Sequence, residues 1–565
     1  MATTTTSTAT SIMLTTLLYG NESLVSSSNN NESMISTSQD WKLSPLDWAV
    51  VAVYMIISMG FGLWWGCRKA RGGKSEDYFL AGKNSPWYLI GLSIFASNIS
   101  SSTLVGLAGE THAHGIAVFN YEWMAALVLT LVASFMVSGF MKAGVFTVPE
   151  LLNIMYNGYV RYYYAALTVF LNVVVDMGGT LYAGAMLLQV LLPGWEIWQV
   201  MAVLACLVGL YTVTGGLAAV MATDAAQAIL LQIGSILITI FAVQKAGGWR
   251  AMMAQQPPGY VSLIRPMDDP SVPWTGLLGV FILGLYFFSS NQFMAQRLLS
   301  AHSVADGQWG ALLAGALKLP VVFIMVVPGL AARVLYPDLH PPDRVYPTLM
   351  FDLLPPGVLG LVLAGFLAAL MSQLDSTLNS VATLVTMDWV RLMKPSLTHT
   401  QLRLVGQGMT VVVMVVAVAW APQIQRFPSL FQYLQQILSY TVSPVVAVYF
   451  IGFFWRGATP AAANLTLLLG TVSGLIMFLL IVVFKYLNIH FLYVPILLVT
   501  LSGLVLVISS KAGLGKVKED RIVLWSWEDV LEETIILKSR PLWQNYRLHS
   551  VLLLAATACV VGIYW

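Results

Sequence analysis

Apolar stretches of roughly 20 residues recur from about residue 46 to the C-terminal end, and this repetition constrains the chain more than any other feature. Twenty residues of α-helix rise ~30 Å, the thickness of the hydrocarbon core of a bilayer. A chain with one such stretch is tethered to a membrane, whereas a chain built of them is immersed in it. Run length also selects helices over strands, because spanning strands are about ten residues long and alternate polar with apolar side chains. The expectation is an all-α membrane protein with about 14 spans. They fall at 46–66, 86–110, 118–142, 161–192, 197–216, 221–244, 274–296, 308–335, 355–388, 403–421, 429–455, 459–484, 491–510 and 547–563. Of the 565 residues, 58% are hydrophobic and 10% charged, against ~25% charged in a soluble domain. The net charge of +2 provides no basic field for nucleic acid. Cys67, Cys206 and Cys559 have neither metal-ligand spacing nor a disulfide framework, and they read as packing residues.

Four divisions follow. Residues 1–44, rich in Ser, Thr and Asn, read as a disordered tail, and 45–510 as a core of 13 spans. Residues 511–546 form a connector with an amphipathic stretch at 525–537, and 547–565 hold the last span. Basic residues set the orientation. Arg68, Lys69, Arg71, Lys74 and Lys83 crowd the first connector. Arg297, Arg391, Lys394, Arg456, Lys511, Lys516, Lys518, Arg521, Lys538 and Arg540 fall on the same side. The positive-inside rule makes that side cytoplasmic and leaves both termini outside the plasma membrane. The tail then exposes two glycosylation sequons, at Asn21 and Asn31.

Two spans carry small polar residues where a continuous helix has little use for them: 96–103 in the second and 284–291 in the seventh. Hydroxyl and amide side chains compete for backbone hydrogen bonds and unwind helices. Unwound backbone persists at membrane depth only where it is buried in protein or lines a cavity. Two interrupted helices five spans apart are the mark of paired repeats with a binding site between them, although Ser and Thr also glue packed membrane helices. Glu122, Asp176, Asp224, Lys318 and Asp375 lie within or at the ends of spans, where a charge is costly and faces a cavity or a partner. A structural ion pair of Glu122 with Lys318 is the alternative to a functional role. Carboxylate, ammonium and the amide of Gln435 suit a ligand rich in hydroxyls. Phe287 and Phe288 offer apolar faces to a sugar ring, or plain packing.

Long blocks around these residues resemble the solute:sodium symporter family, and within it the sodium/glucose cotransporters. They include SIFASNISSSTLVGLAGE (93–110), YEWMAAL (121–127), YTVTGGLAAVMATDAAQ (211–227), NQFMAQRLLSA (291–301), LKLPVVFIMVVPGLAARVLYP (317–337), STLNSVATLVTMDW (376–389) and FQYLQQILSYTVSP (431–444). RPLWQNYRLHSVLL (540–553) resembles the end of the longer sugar-transporting members. The resemblance implies a LeuT-type core in which spans 2–6 and 7–11 are inverted repeats. It implies a sugar site at Asn98, Glu122, Lys318 and Gln435. Thr103 stands where His or Gln is usual, and Phe287 and Phe288 replace an inner-gate Tyr-Trp pair. A sodium site is implied at the carbonyls of Ala96, Ile99 and Ala369 and the hydroxyl of Ser372, with Gln373 where a second Ser or Thr is usual. Asp224 matches the acid of a second sodium locus, and Asp375 departs from the pattern. Sodium is a hard cation that prefers oxygen ligands.

The expected function is sodium-coupled symport of a hexose by alternating access, with no enzymatic chemistry and sodium as the co-transported ion. Carriage of myo-inositol or another organic solute, and a sugar-gated sensor without net transport, are the alternatives.

Overall fold

The expected apolar stretches fold as helices, and where each helix breaks is written in its polar residues. The structure, a computed structural model, describes residues 42–69, 80–192, 194–519 and 521–565. Residues 1–41 of the expected tail, with Asn21 and Asn31, lie outside them. Among the described residues there are helices and no strands. Among the described residues, nine helices are long and apolar enough to cross a membrane, or up to twelve if each bent pair counts as one span. Two shorter apolar helices, Pro45–Phe61 and Ile197–Gly209, stand where the first and fifth spans are expected.

Burial separates core from rim. The ninth span, Val358–Met393, has 89% of its most apolar window buried; Pro460–Val483 has 22% and Tyr546–Ile563 28%. The rim helices expose Val411, Val415, Leu468, Val472 and Leu475 to what must be lipid, since no aqueous surface tolerates so much apolar area. The ninth span instead buries Ser372, Gln373, Asp375, Ser376, Thr377, Asn379, Ser380, Thr383 and Asp388. So polar a helix is stable at membrane depth only when other helices satisfy its groups.

Both anticipated breaks are present. The second span divides into Trp87–Asn98 and Ser101–His114, bent by 56°, and the seventh into Trp274–Ser290 and Gln292–Leu299, bent by 48°. Each second half begins with a polar cap that satisfies an amide the break would orphan. The Thr103 amide donates to Ser100 Oγ at 3.2 Å, and the Phe293 amide to Asn291 Oδ1 at 3.2 Å. A third break, not expected from the sequence, divides the eleventh span into Leu430–Thr441 and Ser443–Phe454, bent by 54°. Pro444 sits in the first turn of the second piece, where its missing amide costs nothing.

The helical stretch Ile197–Lys245 has 49 residues, roughly 74 Å if straight, more than twice what a bilayer needs. Contacts show that it turns back on itself. Ser372 bonds Asp224. Leu204 and Leu370 both lie within 3.0 Å of where a Cβ on Gly184 would sit. Residues 204 and 224 would be ~30 Å apart on a straight helix, yet both reach one turn of the ninth span. Two antiparallel legs, the fifth and sixth spans, meet this condition.

The connector 511–546 is held to the bundle by Arg521. Its guanidinium donates to the carbonyls of Trp455 (3.2 Å), Arg456 (3.2 Å), Ala458 (3.1 Å) and Gly452, the orphan acceptors where the eleventh span ends. The amphipathic stretch is a helix, Trp527–Lys538. Asp529 pairs with Lys142, and Glu533 receives Gln308 at 2.7 Å and Arg547 at 3.0 Å. Lys142 holds the Asp529 carboxyl below the usual carboxylate range. Trp527, Leu531 and Ile535, four residues apart on one stripe, remain exposed.

Candidate solute and ion site

The halves of the broken spans converge on one cavity with about 130 Å³ accessible to the centre of a water molecule. Asn98, Thr103, Glu122, Phe287, Phe288, Lys318 and Gln435 all line it, so the seven residues expected to bind solute are brought together from five spans. The third and eighth spans supply its charge pair: Lys318 Nζ donates to Glu122 Oε2 at 2.6 Å, both side chains nearly inaccessible. An ion pair this buried is stable only if its remaining valences are met; here they face the cavity. Phe287 and Phe288 stand on a π-helical turn, Tyr286–Ser290, immediately before the break. The wider turn arises because the Asn291 amide bonds the Tyr286 carbonyl at 2.8 Å, five residues back. The rings meet edge to face, centroids 5.1 Å apart. Thr103 Oγ1 donates to the Asn98 carbonyl at 3.2 Å, which ties the two sides of the second span's break together.

Further lining residues come from outside the expected set. Tyr121 packs edge to face on Phe431, centroids 4.9 Å apart. Asp176 enters from another π-helical turn, Asn172–Met177. Gln373, expected at the sodium site, lines the solute cavity, and its Oε1 has no hydrogen-bond partner. Asn98 Oδ1 is likewise without one.

The residues expected at the ion site separate into two groups. Ala96, Ile99, Ala369 and Ser372 lie buried at the second span's break and on the ninth span. The first half-helix ends at Asn98 and the second starts at Ser101, and the Thr103 amide turns to Ser100. The carbonyls of Ala96 and Ile99 thereby lose their regular helical donors, which suits them to a hard cation. Ser372 Oγ donates to Asp224 Oδ1 at 2.5 Å, leaving its oxygen lone pairs to accept. Asp224 is instead held by Arg297, with Nη2 to Oδ2 at 3.0 Å.

Arg297 therefore departs from the reading of a cytoplasmic surface charge. It is fully buried, and donates to Ser93 Oγ at 2.6 Å, Ser97 Oγ at 2.5 Å and Ser376 Oγ. The paired hydroxyls at 93/97 and 372/376, each one helical turn apart, are the signal by which the sequence marks this cradle. Asp375 follows Gln373 by two residues, about 200° around the helix, and so faces away from the cavity. Its side is that of Met371, whose sulfur takes the Tyr54 hydroxyl of the first span at 3.8 Å.

Broken helices that meet at a buried polar chamber inside an apolar bundle define an ion-coupled solute carrier of the LeuT type. The model of the sodium:solute symporter family matches residues 78–470, and the chain belongs to that family. It is 31% identical over 536 residues to sodium/glucose cotransporter 4 of Danio rerio, covering 86% of this chain and 81% of the relative. It is 32% identical over 532 residues to the sodium/myo-inositol cotransporter of Mus musculus, covering 83% and 73%. A solved sodium-coupled sialic acid symporter, in a substrate-bound outward-open state, superposes with a TM-score of 0.73 at 20% identity. That match covers 85% of this chain and 100% of the other. The protein is thus a multi-pass sodium:solute symporter, with sodium as its co-transported ion, and not an enzyme.

Proposed function

We propose that this symporter carries a hexose-like solute into the cell across the plasma membrane, with both termini outside. The observation that carries the reading is the Glu122–Lys318 pair, 2.6 Å apart at the wall of a cavity that also presents Asn98, Gln435 and the Phe287–Phe288 faces. A pyranose offers hydroxyls that both donate and accept, and apolar ring faces. Carboxylate, ammonium and amides satisfy the first, and phenyl rings cover the second. Relatives named for glucose and for myo-inositol support a polyhydroxylated solute and leave a cyclic polyol as the second reading.

Sodium binds at the break, taken by the carbonyls of Ala96, Ile99 and Ala369 and the oxygen of Ser372, while Asp224 orients that hydroxyl. Bridging the second and ninth spans, the ion fixes the backbone around Asn98 and Thr103 and so prepares the cavity. Rocking of one bundle against the other then exposes both cargoes to the cytosol. The membrane potential contributes ~2.3 kcal/mol per charge per 100 mV to the accumulation. Uptake of radiolabelled hexose by expressing cells tests the reading: replacing sodium by choline abolishes it. Equal uptake in the two media contradicts sodium-driven hexose transport, and sugar-evoked current without uptake replaces the carrier with a sensor.

A further inference from the structure

Two carboxyl groups and one ammonium line the solute cavity, and only one of the carboxyls is paired with the ammonium. Glu122 and Lys318 are paired at 2.6 Å. Asp176, on the π-helical turn Asn172–Met177, makes no hydrogen bond or ion pair with any described residue. The cavity therefore holds an acid that no cation of the described residues accompanies. Two amide oxygens are further acceptors without a donor, Asn98 Oδ1 and Gln373 Oε1, and Gln373 is 4% exposed. Around them stand the rings of Tyr121, Phe287, Phe288 and Phe431, whose faces attract cations. A carboxylate at membrane depth is tolerated when something positive accompanies it. The protein supplies no such group, because its one ammonium in the cavity is taken by Glu122.

We propose that the solute supplies it: the cargo is a polyhydroxylated molecule bearing an ammonium group, such as an amino sugar, whose nitrogen donates to Asp176. This rests on the reading of the cavity as a sugar site and narrows its substrate class. Hydroxyls still meet Glu122, Lys318 and Gln435, while the ammonium, a three-way donor, meets the acceptors that a neutral hexose leaves half satisfied.

The test is radiolabelled uptake by the full chain in proteoliposomes with an inward sodium gradient. D-glucosamine, D-glucose and N-acetyl-D-glucosamine are compared at about pH 6.5, well below the ordinary amine range. Expected is transport of D-glucosamine about tenfold or more above the other two in kcat/KM. Asp176→Asn removes that preference, and Asp176→Glu, which keeps the charge, retains it. No preference for the amine in the native protein, or a preference that survives Asp176→Asn, overturns the proposal. Sodium-driven D-glucose uptake without the amine preference refutes this inference alone, whereas absence of any sodium-driven sugar uptake refutes the sugar reading beneath it.

Discussion

At the scale of single residues, the balance between pairing and desolvation decides what Glu122 and Lys318 do. Both are buried and bonded at 2.6 Å. Removing one partner strands the other charge, at a cost of about 3–5 kcal/mol. Glu122→Ala and Lys318→Ala are therefore expected to abolish uptake and to lower thermal stability in detergent. The double variant Glu122→Gln/Lys318→Met recovers most of the stability but none of the uptake, because the cavity keeps its shape and loses its charge-assisted bonds. Uptake by the double variant at native rates would place the solute elsewhere. Gln373→Ser, which removes an amide from the cavity wall, is expected to raise solute KM severalfold and leave the sodium activation curve in place. A shifted sodium curve with unchanged KM returns Gln373 to the ion site.

Asp343, outside the spans, gives a pH test. Burial pushes its carboxyl up to about 6, against the pull of the Leu430 amide it accepts at 3.1 Å. A group raised above its unfolded value, about 3.9, stabilises fully below that value and loses this contribution as pH rises through 6. The Tm of the native protein should accordingly fall, relative to Asp343→Asn, between pH 4 and 6.5. A constant difference across that range would remove Asp343 as the cause. At this scale the sequence was legible wherever a charge interrupts apolar residues: Glu122, Asp176 and Lys318 stand out for that reason. It was not legible for Arg297, since a basic residue near the end of an apolar run reads as a surface charge, and only the facing serines of two other helices and Asp224 of a third make it internal. Gln373 and Asp375 differ by a rotation about the helix, which neighbours fix and composition does not.

At the scale of elements, the breaks are built rather than accidental. Ser100 and Asn291 each restart a helix in mid-membrane by capping an amide of the following turn. Both polar runs are visible in the sequence because small hydroxyl residues have few other uses at that depth. The third break carries the same kind of signal in Ser439, Thr441 and Ser443, and was missed because Ser and Thr also glue packed helices and proline in a first helical turn is silent. If the cap at Ser100 aligns the carbonyls of Ala96 and Ile99, its loss must reach the ion. Ser100→Ala removes about 1 kcal/mol of capping and should raise the sodium concentration for half-maximal uptake roughly fivefold. An unchanged sodium curve, with normal folding, would detach the break from the ion site.

For the whole molecule, the pattern of burial explains how one chain combines a lipid-facing coat with a polar interior. The nearly continuous burial of the ninth span allows serines and threonines to face the second, sixth and seventh spans. Arg297 and Asp224 tie four spans together at one point on that surface. Run lengths made the bundle and its approximate spans legible. They did not reveal how the fifth and sixth spans turn, because the stretch 197–245 remains helical nearly throughout and only contacts between Leu204, Asp224 and the ninth span require the reversal. The account rests on the claim that sodium and solute occupy this chamber in one transport cycle. Purified protein in proteoliposomes, given an inward sodium gradient and radiolabelled hexose or hexosamine, tests it directly. The account predicts a transient accumulation above the external concentration, collapsed by a sodium ionophore and missing in the Glu122→Gln/Lys318→Met variant; uptake that only equilibrates, or that overshoots equally in that variant, contradicts it.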